Sequence, residues 1–193
     1  MANEQMDVLF KVLDALEELK VTYIIGGSFA SSTHGFSRAT MDIDLLAELK
    51  REQSVELVSI LGPEFYADEQ AIRQAIDAKR HFNLIHIETG FKVDLFVAKA
   101  GGFDERQLER RHLEVVTSEP ERKAYVATPE DTIIAKLNWY RLGNEISDRQ
   151  WQDVIGVIKV QGGRLDLIYL RQWAKNLNVL DLLEGALAKA QSG

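Results

Sequence analysis

Asp42 and Asp44 stand two residues apart in the run Met41-Asp42-Ile43-Asp44-Leu45-Leu46. In an extended chain successive side chains point to opposite faces, so Met41, Ile43 and Leu45 turn toward a core while the two carboxylates project together on the other side. Two like charges on one face disfavour each other's ionised form unless a positive group lies between them. Hard divalent cations prefer oxygen ligands, and Mg²⁺ is commonly held by one or two carboxylates together with substrate phosphates. By itself an Asp-x-Asp pair is more often only the polar face of a strand. The preceding Gly26-Gly27-Ser28 changes that weighting. A strand that ends in two glycines and opens a helix presents bare backbone N–H groups and a positive helix end to an anion. Such a tripeptide alone is usually a turn. An anion cradle followed by a cation-binding strand is what a nucleoside triphosphate and its metal require.

The stretch from Gly26 to Asp44 resembles the signature of the DNA polymerase β-type nucleotidyltransferase superfamily, in which Gly-Gly/Ser opens a helix and Asp-x-Asp lies on the next strand. Its Arg38-Ala39-Thr40-Met41-Asp42-Ile43-Asp44 form is similar to that of the AbiEii/MenT-type toxin nucleotidyltransferases and their uncharacterised relatives. The resemblance implies a third carboxylate on a later strand. Phe91-Lys92-Val93-Asp94-Leu95-Phe96-Val97 supplies one, with Asp94 opposite the apolar face of Phe91, Val93, Leu95 and Val97. It also implies a lysine on a helix after the sheet and then an Asp-bearing helix, positions matched by Lys136 and Asp153. Helical spacing puts Lys136 at the rim of the Ile133, Ile134, Leu137 and Tyr140 face, able to snorkel toward a cleft. The chain departs from the family in Ser147-Asp148-Arg149-Gln150-Trp151-Gln152-Asp153, where an Arg-Asp-x-x-Asp pattern is altered in order and spacing. Asp148 there reads as a helix N-cap.

The activity so implied is Mg²⁺-dependent transfer of a nucleoside monophosphate from an NTP to an acceptor hydroxyl, with release of pyrophosphate. Asp42, Asp44 and Asp94 would hold the metal, and Asp94 would also help deprotonate the acceptor. Gly26, Gly27 and Ser28 would cradle the β and γ phosphates. Arg38 and Lys136 would neutralise charge building on them, although Arg38 reads equally well as a surface cation. Thr40 and Asp153 complete the expected nucleotide-binding set. The acceptor is an RNA, a protein or a small molecule, and a toxin would have an antitoxin protein as partner. Two rivals stand beside this reading: an antibiotic-type nucleotidyltransferase of small molecules, and a degenerate nucleotide-binding or interaction module that performs no transfer.

The elements that must position these residues follow from periodicity. Leu9, Val12, Leu13, Leu16 and Leu19 mark a first helix, and Val21–Ile25 a buried strand. Ser28 reads as the N-cap of a short helix over 29–34 closed by Gly35. A strand is expected over 41–46, helices over 51–61 and 69–79, and a hairpin of 82–87 and 91–97 turning at Thr89-Gly90. Residues 105–115 have helical spacing, and 125–127 read as a short strand. Thr128-Pro129-Glu130-Asp131 is a helix start with an N-cap threonine, proline at the first position and acids in the first turn. That helix should run to Arg141 and stop at Gly143, and three apolar faces beyond it predict more helices. Strands therefore concentrate before Thr128 and helices after it. The expected fold is α+β: a nucleotidyltransferase-like mixed β-sheet flanked by helices over 1–127, followed by a C-terminal helical subdomain over 128–193.

Composition removes several alternatives. The 193 residues carry a net charge of −7, which argues against a general nucleic-acid binder. The basic cluster of Arg106, Arg110, Arg111, Arg122 and Lys123 is interleaved with acids and reads as a solvated face. There is no cysteine, which excludes disulfides and thiolate chemistry and suits a cytoplasmic protein. His34, His81, His86 and His112 lack metal-ligand spacing, and no Gly-x-x-x-x-Gly-Lys-Ser/Thr loop is present. The opening Met1-Ala2-Asn3-Glu4-Gln5 does not read as a signal peptide. No apolar stretch approaches the roughly 20 residues of a membrane helix.

Overall fold

The computed structural model describes residues 2–36 and 42–191. Arg38 and Thr40, both expected at the phosphates, lie outside the described residues, as does Met41. The chain divides into two compact units, one drawn from Met1–Ile25 and Thr40–Val126, the other from Gly26–Ala39 and Ala127–Gly193.

The first unit contains α1 (Ala2–Glu18), β1 (Tyr23–Ile25), β2 (Asp42–Ala47), α3 (Gln53–Leu61), β3 (Phe65–Tyr66), α4 (Glu69–Ala78), β4 (His81–His86), β5 (Lys92–Val97), α5 (Phe103–Arg110), β6 (His112–Ser118) and β7 (Glu121–Val126); α2 (Gly27–His34) belongs to the second. The strands form one seven-stranded mixed sheet in the order β3-β4-β5-β2-β1-β7-β6. The pairs β2–β5 and β1–β7 are parallel and the remaining neighbours antiparallel. Alternation in the sequence becomes alternation in burial. Ile43, Leu45, Val93, Leu95 and Leu84 are almost wholly removed from solvent, each worth about 1.5–3 kcal/mol of transfer free energy. Residues 42, 44, 92, 94 and 83 between them stay half-buried or exposed. The helices supply further core from one face each: Leu9, Val12, Leu13 and Leu16 on α1, Leu57 on α3, Ile72 and Ile76 on α4. Asp68 caps α4 by accepting the Ala71 N–H at 2.9 Å.

One expectation fails in this unit, and one strand appears that was not expected. Residues 105–115 are not one helix: α5 stops at Arg110 and the chain re-enters the sheet as β6, pairing with β7 from His112↔Val126 to Ser118↔Glu121. Val115 stands seven residues from Leu108, a helical interval, yet it and Leu113 are both about half exposed on an edge strand. The hydrogen bonds that decide their conformation come from β7, across a turn that local periodicity does not weigh. The two-residue strand β3 leaves no periodic trace for the same reason, since it exists through its pairing with β4.

The second unit contains α2, α6 (Pro129–Leu142), α7 (Asp148–Gln161), α8 (Leu167–Asn176) and α9 (Leu180–Gln191). The start of α6 is as the sequence predicts. Thr128 Oγ1 accepts the Asp131 N–H at 3.1 Å and donates to Asp131 Oδ2 at 2.7 Å. Tyr169 of α8 donates its hydroxyl to the other oxygen at 2.5 Å, so the fully buried Asp131 ties the two helices together. Gly35 ends α2 where it passes α7. A β-carbon there would stand 2.8 Å from the Ser31 carbonyl oxygen and 2.9 Å from the Val157 nitrogen, so no larger residue fits.

Two helix starts differ from expectation, that of α2 by two residues and that of α7 by one. The N-cap of α2 is Gly26 and its first residue Gly27, at φ +54°, a left-handed value open to glycine. Ser28 therefore lies inside the first turn. The N-cap of α7 is Ser147, whose hydroxyl accepts the Gln150 N–H at 3.3 Å. Asp148 is instead the first helical residue, where its negative charge favours the helix end. Among the described residues, no helix is long and apolar enough to cross a membrane.

Candidate active site

The parallel pairing of β2 with β5 sets the geometry of the carboxylates. In register, Asp42 faces Lys92, Ile43 faces Val93, and Asp44 faces Asp94. Cross-strand partners share a face, so Asp42, Asp44 and Asp94 project from the same side of the sheet, opposite the buried row of Ile43, Leu45, Val93 and Leu95. On β4 the register brings Asn83 beside Asp94 and Ile85 beside Lys92. Alternation joins Asp42 to Asp44, and the register of β5 on β2 adds Asp94 to their face.

Sequence reasoning does not single out Lys92, although the alternation that joins Asp42 to Asp44 also joins Lys92 to Asp94. The Lys92 ammonium lies 2.9 Å from Asp94 Oδ2. This hydrogen bond holds the lysine above its ordinary range; burial opposes the rise, and the charges of Asp94, Asp42 and Asp44 add to it. One ammonium is thus felt by all three carboxylates. The second oxygen of Asp94, Oδ1, is buried and makes no hydrogen bond, although the side chain as a whole is 15% exposed. A dry, unbonded carboxylate oxygen is energetically expensive. In donor chemistry the face fits a hard divalent cation: three carboxylates, one with a lone-pair oxygen to spare. Among the described residues, however, no three histidine, cysteine, aspartate or glutamate side chains close into a metal cage. Lys92 supplies positive charge in their midst.

The other expected residues lie in the second unit. Gly26, Gly27 and Ser28 form the start of α2, where no side chain caps the helix. Ser28 contributes its carbonyl oxygen to the Ser31 hydroxyl at 3.0 Å. The α2 terminus is backbone-rich and glycine-lined, as an anion cradle requires. Lys136 is not at a rim. It is 6% exposed, and its ammonium meets Asp153 Oδ2 at 2.8 Å, joining α6 to α7. Helical spacing marks one apolar face, but α6 is covered on several sides: Glu130, Asp131, Thr132, Ile133, Ile134, Lys136 and Leu137 are all buried. Lys136 and Asp153, expected separately, are one buried ion pair.

Of the histidines, His34 is buried in the second unit with Nε2 2.7 Å from the Ala127 carbonyl oxygen, and His86 pairs with Thr89 in the hairpin. The basic cluster is dispersed: Arg106 pairs with Glu109 and Arg122 with Asp14. Arg111 lies over the Tyr125 ring at 4.6 Å. A cavity of about 500 Å³ on the first unit, lined by Lys20, Tyr23, Arg111, Lys123 and Tyr125 among others, includes none of the three aspartates.

No protein-family model matches the chain, and no curated protein matches it in sequence. Solved structures do match it in fold. The solution structure of the antibiotic-resistance factor ANT(2'')-Ia aligns over 96% of this chain and 99% of its own with TM-score 0.56 and 14% identity. The crystal structure of an antigenic nucleotidyltransferase-like protein from Paracoccidioides brasiliensis aligns over 96% of this chain and 93% of its own with TM-score 0.50 and 16% identity. At such identities the likeness is one of fold, and the fold is nucleotidyltransferase-like.

Proposed function

We propose that the chain is a Mg²⁺-dependent nucleotidyltransferase. The observation that carries the reading is the register of β2 on β5, which gives Asp42, Asp44 and Asp94 a common face with one unbonded buried oxygen. When bound, Mg²⁺ would supply charge neutralisation at the triphosphate and order its oxygens around the reacting phosphorus. Asp42, Asp44 and Asp94 would be its ligands. Asp94 would also accept the proton of the acceptor hydroxyl, whose oxygen attacks the α-phosphorus as the bond to the bridging oxygen breaks and pyrophosphate leaves. Gly26, Gly27 and Ser28, with Arg38 and Thr40, are assigned to the phosphates on the sequence resemblance. Lys136 is assigned there too, held by Asp153.

For the acceptor, the fold neighbour that is an antibiotic-resistance factor favours a small hydroxylated molecule, as does the net charge of −7, which repels polyanions. The Arg38-to-Asp44 run favours the second reading, an RNA-directed toxin with an antitoxin partner. Incubation with each radiolabelled NTP and Mg²⁺ in three arms, total RNA, cell protein and a panel of hydroxylated antibiotics, separates them. Label should enter one arm with the wild type and none with Asp44→Asn. Absence of label from every arm would return the chain to a nucleotide-binding module without transfer.

A further inference from the structure

We infer that the cavity of about 500 Å³ on the first unit binds the phosphate group of a small phosphorylated molecule, at a place distinct from the carboxylate face. It lies where α1 gives way to β1, beside β7 and β6. Tyr23 of its lining pairs with Ala47, at the far end of β2 from Asp42. Charge is the first argument. The chain carries −7 overall, yet the cavity draws together three cations, Lys20, Arg111 and Lys123, against one acid, Glu17. Glu17 accepts the Tyr23 hydroxyl at 2.6 Å. Lys123 meets Glu121 at 3.5 Å, and Glu121 is not part of the lining. Arg111 and Lys123 come from the basic run that reads as a solvated face in the sequence, and the sheet register explains why they converge. Leu113 pairs with Tyr125 and Val115 with Lys123, while Arg111, two residues before Leu113, lies over the Tyr125 ring at 4.6 Å.

Arg111 supplies the second argument. Its Nη1 donates to the Leu108 carbonyl oxygen at 3.1 Å, and its Nε is buried without a hydrogen-bond partner. A buried donor left unbonded is costly. With Nη1 taken, the remaining edge of the guanidinium is Nε with Nη2, a fork that grips two oxygens of an oxyanion side-on. Tyr125 beneath the guanidinium, and Tyr23 edge-on to Tyr125 at 5.9 Å, hold that fork in position. Three cations favour the near-dianion of a phosphate monoester over a single carboxylate. Volume is the third argument. About 500 Å³ falls within the roughly 300–1,000 Å³ of small-molecule sites and is far more than inorganic phosphate fills. The remainder of the ligand is therefore organic, set against Leu113 and the two tyrosines.

The test titrates the protein, in chelator and without Mg²⁺, with inorganic phosphate, ribose 5-phosphate and phenyl phosphate. Ribose and phenol serve as unphosphorylated controls. In ¹H–¹⁵N spectra the amides of residues 111, 113, 123 and 125 should shift with all three phosphates and with neither control. At least one ester should bind about threefold or more tighter than inorganic phosphate, because it also fills the cavity. Arg111→Lys keeps the charge and loses the fork, and should weaken ester binding on the order of tenfold. Lys123→Gln, at a side chain 49% exposed, should weaken it about threefold and carries the test where Arg111→Lys folds poorly. The inference is overturned if no phosphate probe binds at millimolar concentration, if inorganic phosphate binds as tightly as both esters, or if the variants bind the esters as wild type does. Shifts at residues 26–28 in place of the cavity residues would overturn it as well, by moving the phosphate to the start of α2.

Discussion

Asp44 and Asp94 are direct cross-strand partners on the parallel pair β2–β5, and Lys92 engages the second of them through Oδ2 at 2.9 Å. Asp44 therefore stands as a like charge directly beside Asp94. Replacing it with asparagine removes a repelling charge and keeps the shape. In chelator, Asp44→Asn should raise the melting temperature by about 1–4 °C, equivalent to roughly 0.5–1 kcal/mol at this chain length. Scanning calorimetry of both proteins checks this.

Lys136 and Asp153 form a buried pair with side chains 8% and 10% exposed. Removing one partner of such a pair typically costs about 3–5 kcal/mol, because the other charge stays buried. Lys136→Met should therefore lose that much stability in urea unfolding, and Lys136→Met with Asp153→Leu should recover most of it. If the pair serves only to hold α6 to α7, the double variant will bind Mg²⁺-NTP like the wild type. The role assigned to Lys136 predicts at least tenfold weaker binding.

These two pairs mark what is legible in the sequence and what is not. Alternation puts Asp42 and Asp44 on one face of β2 and Asp94 on the polar face of β5, but only the family resemblance joins the two faces in advance, and the β2–β5 register is what makes them one. Capping chemistry likewise locates the start of α6 at Thr128 to the residue. The missing features depend on partners distant in sequence. β6 and β3 take their form from neighbouring strands, and the burial of Lys136 comes from helices that cover α6 on more than its apolar stripe. The grouping of residues 26–39 with 127–193 rests on contacts such as Gly35 against Val157, which nothing local announces. Lys92 is legible by the same alternation, but a search for acidic ligands does not weigh the cation between them.

Gly35 gives a sharp test of the packing of α2 on α7. Gly35→Ala would press a methyl group against two backbone atoms at 2.8 and 2.9 Å and should destabilise by about 1–3 kcal/mol. Gly163→Ala, where a β-carbon meets nothing within 4 Å, should stay within about 0.5 kcal/mol. Paired denaturation curves decide it.

Tyr23 predicts the alkaline behaviour. Burial first, then the hydrogen bond to Glu17 at 2.6 Å and its charge, hold the phenol well above its ordinary value of 10.0. The folded protein keeps that proton through a range in which the unfolded chain releases it. Stability is therefore fully present below about pH 10 and falls as pH rises beyond it. Lys92, also raised, is the same case for a base and loses its contribution in the same direction above its ordinary 10.5. Tyr23→Phe should lose about 1 kcal/mol at neutral pH with the hydrogen bond and show a shallower decline above pH 10, measured by urea unfolding at a series of pH values.

The central claim, that Asp42, Asp44 and Asp94 hold a divalent cation with a nucleotide, is tested most directly by ligand-dependent melting. A ligand that binds only the native state at about 100 times its Kd adds roughly 2.7 kcal/mol, which for a chain of this length is a shift on the order of 5–10 °C. Wild type with Mg²⁺ and at least one NTP should show that shift, and Asp44→Asn should lose most of it while remaining as stable as wild type in chelator or more so. A wild type that shows no shift with any NTP at millimolar concentration would contradict the account.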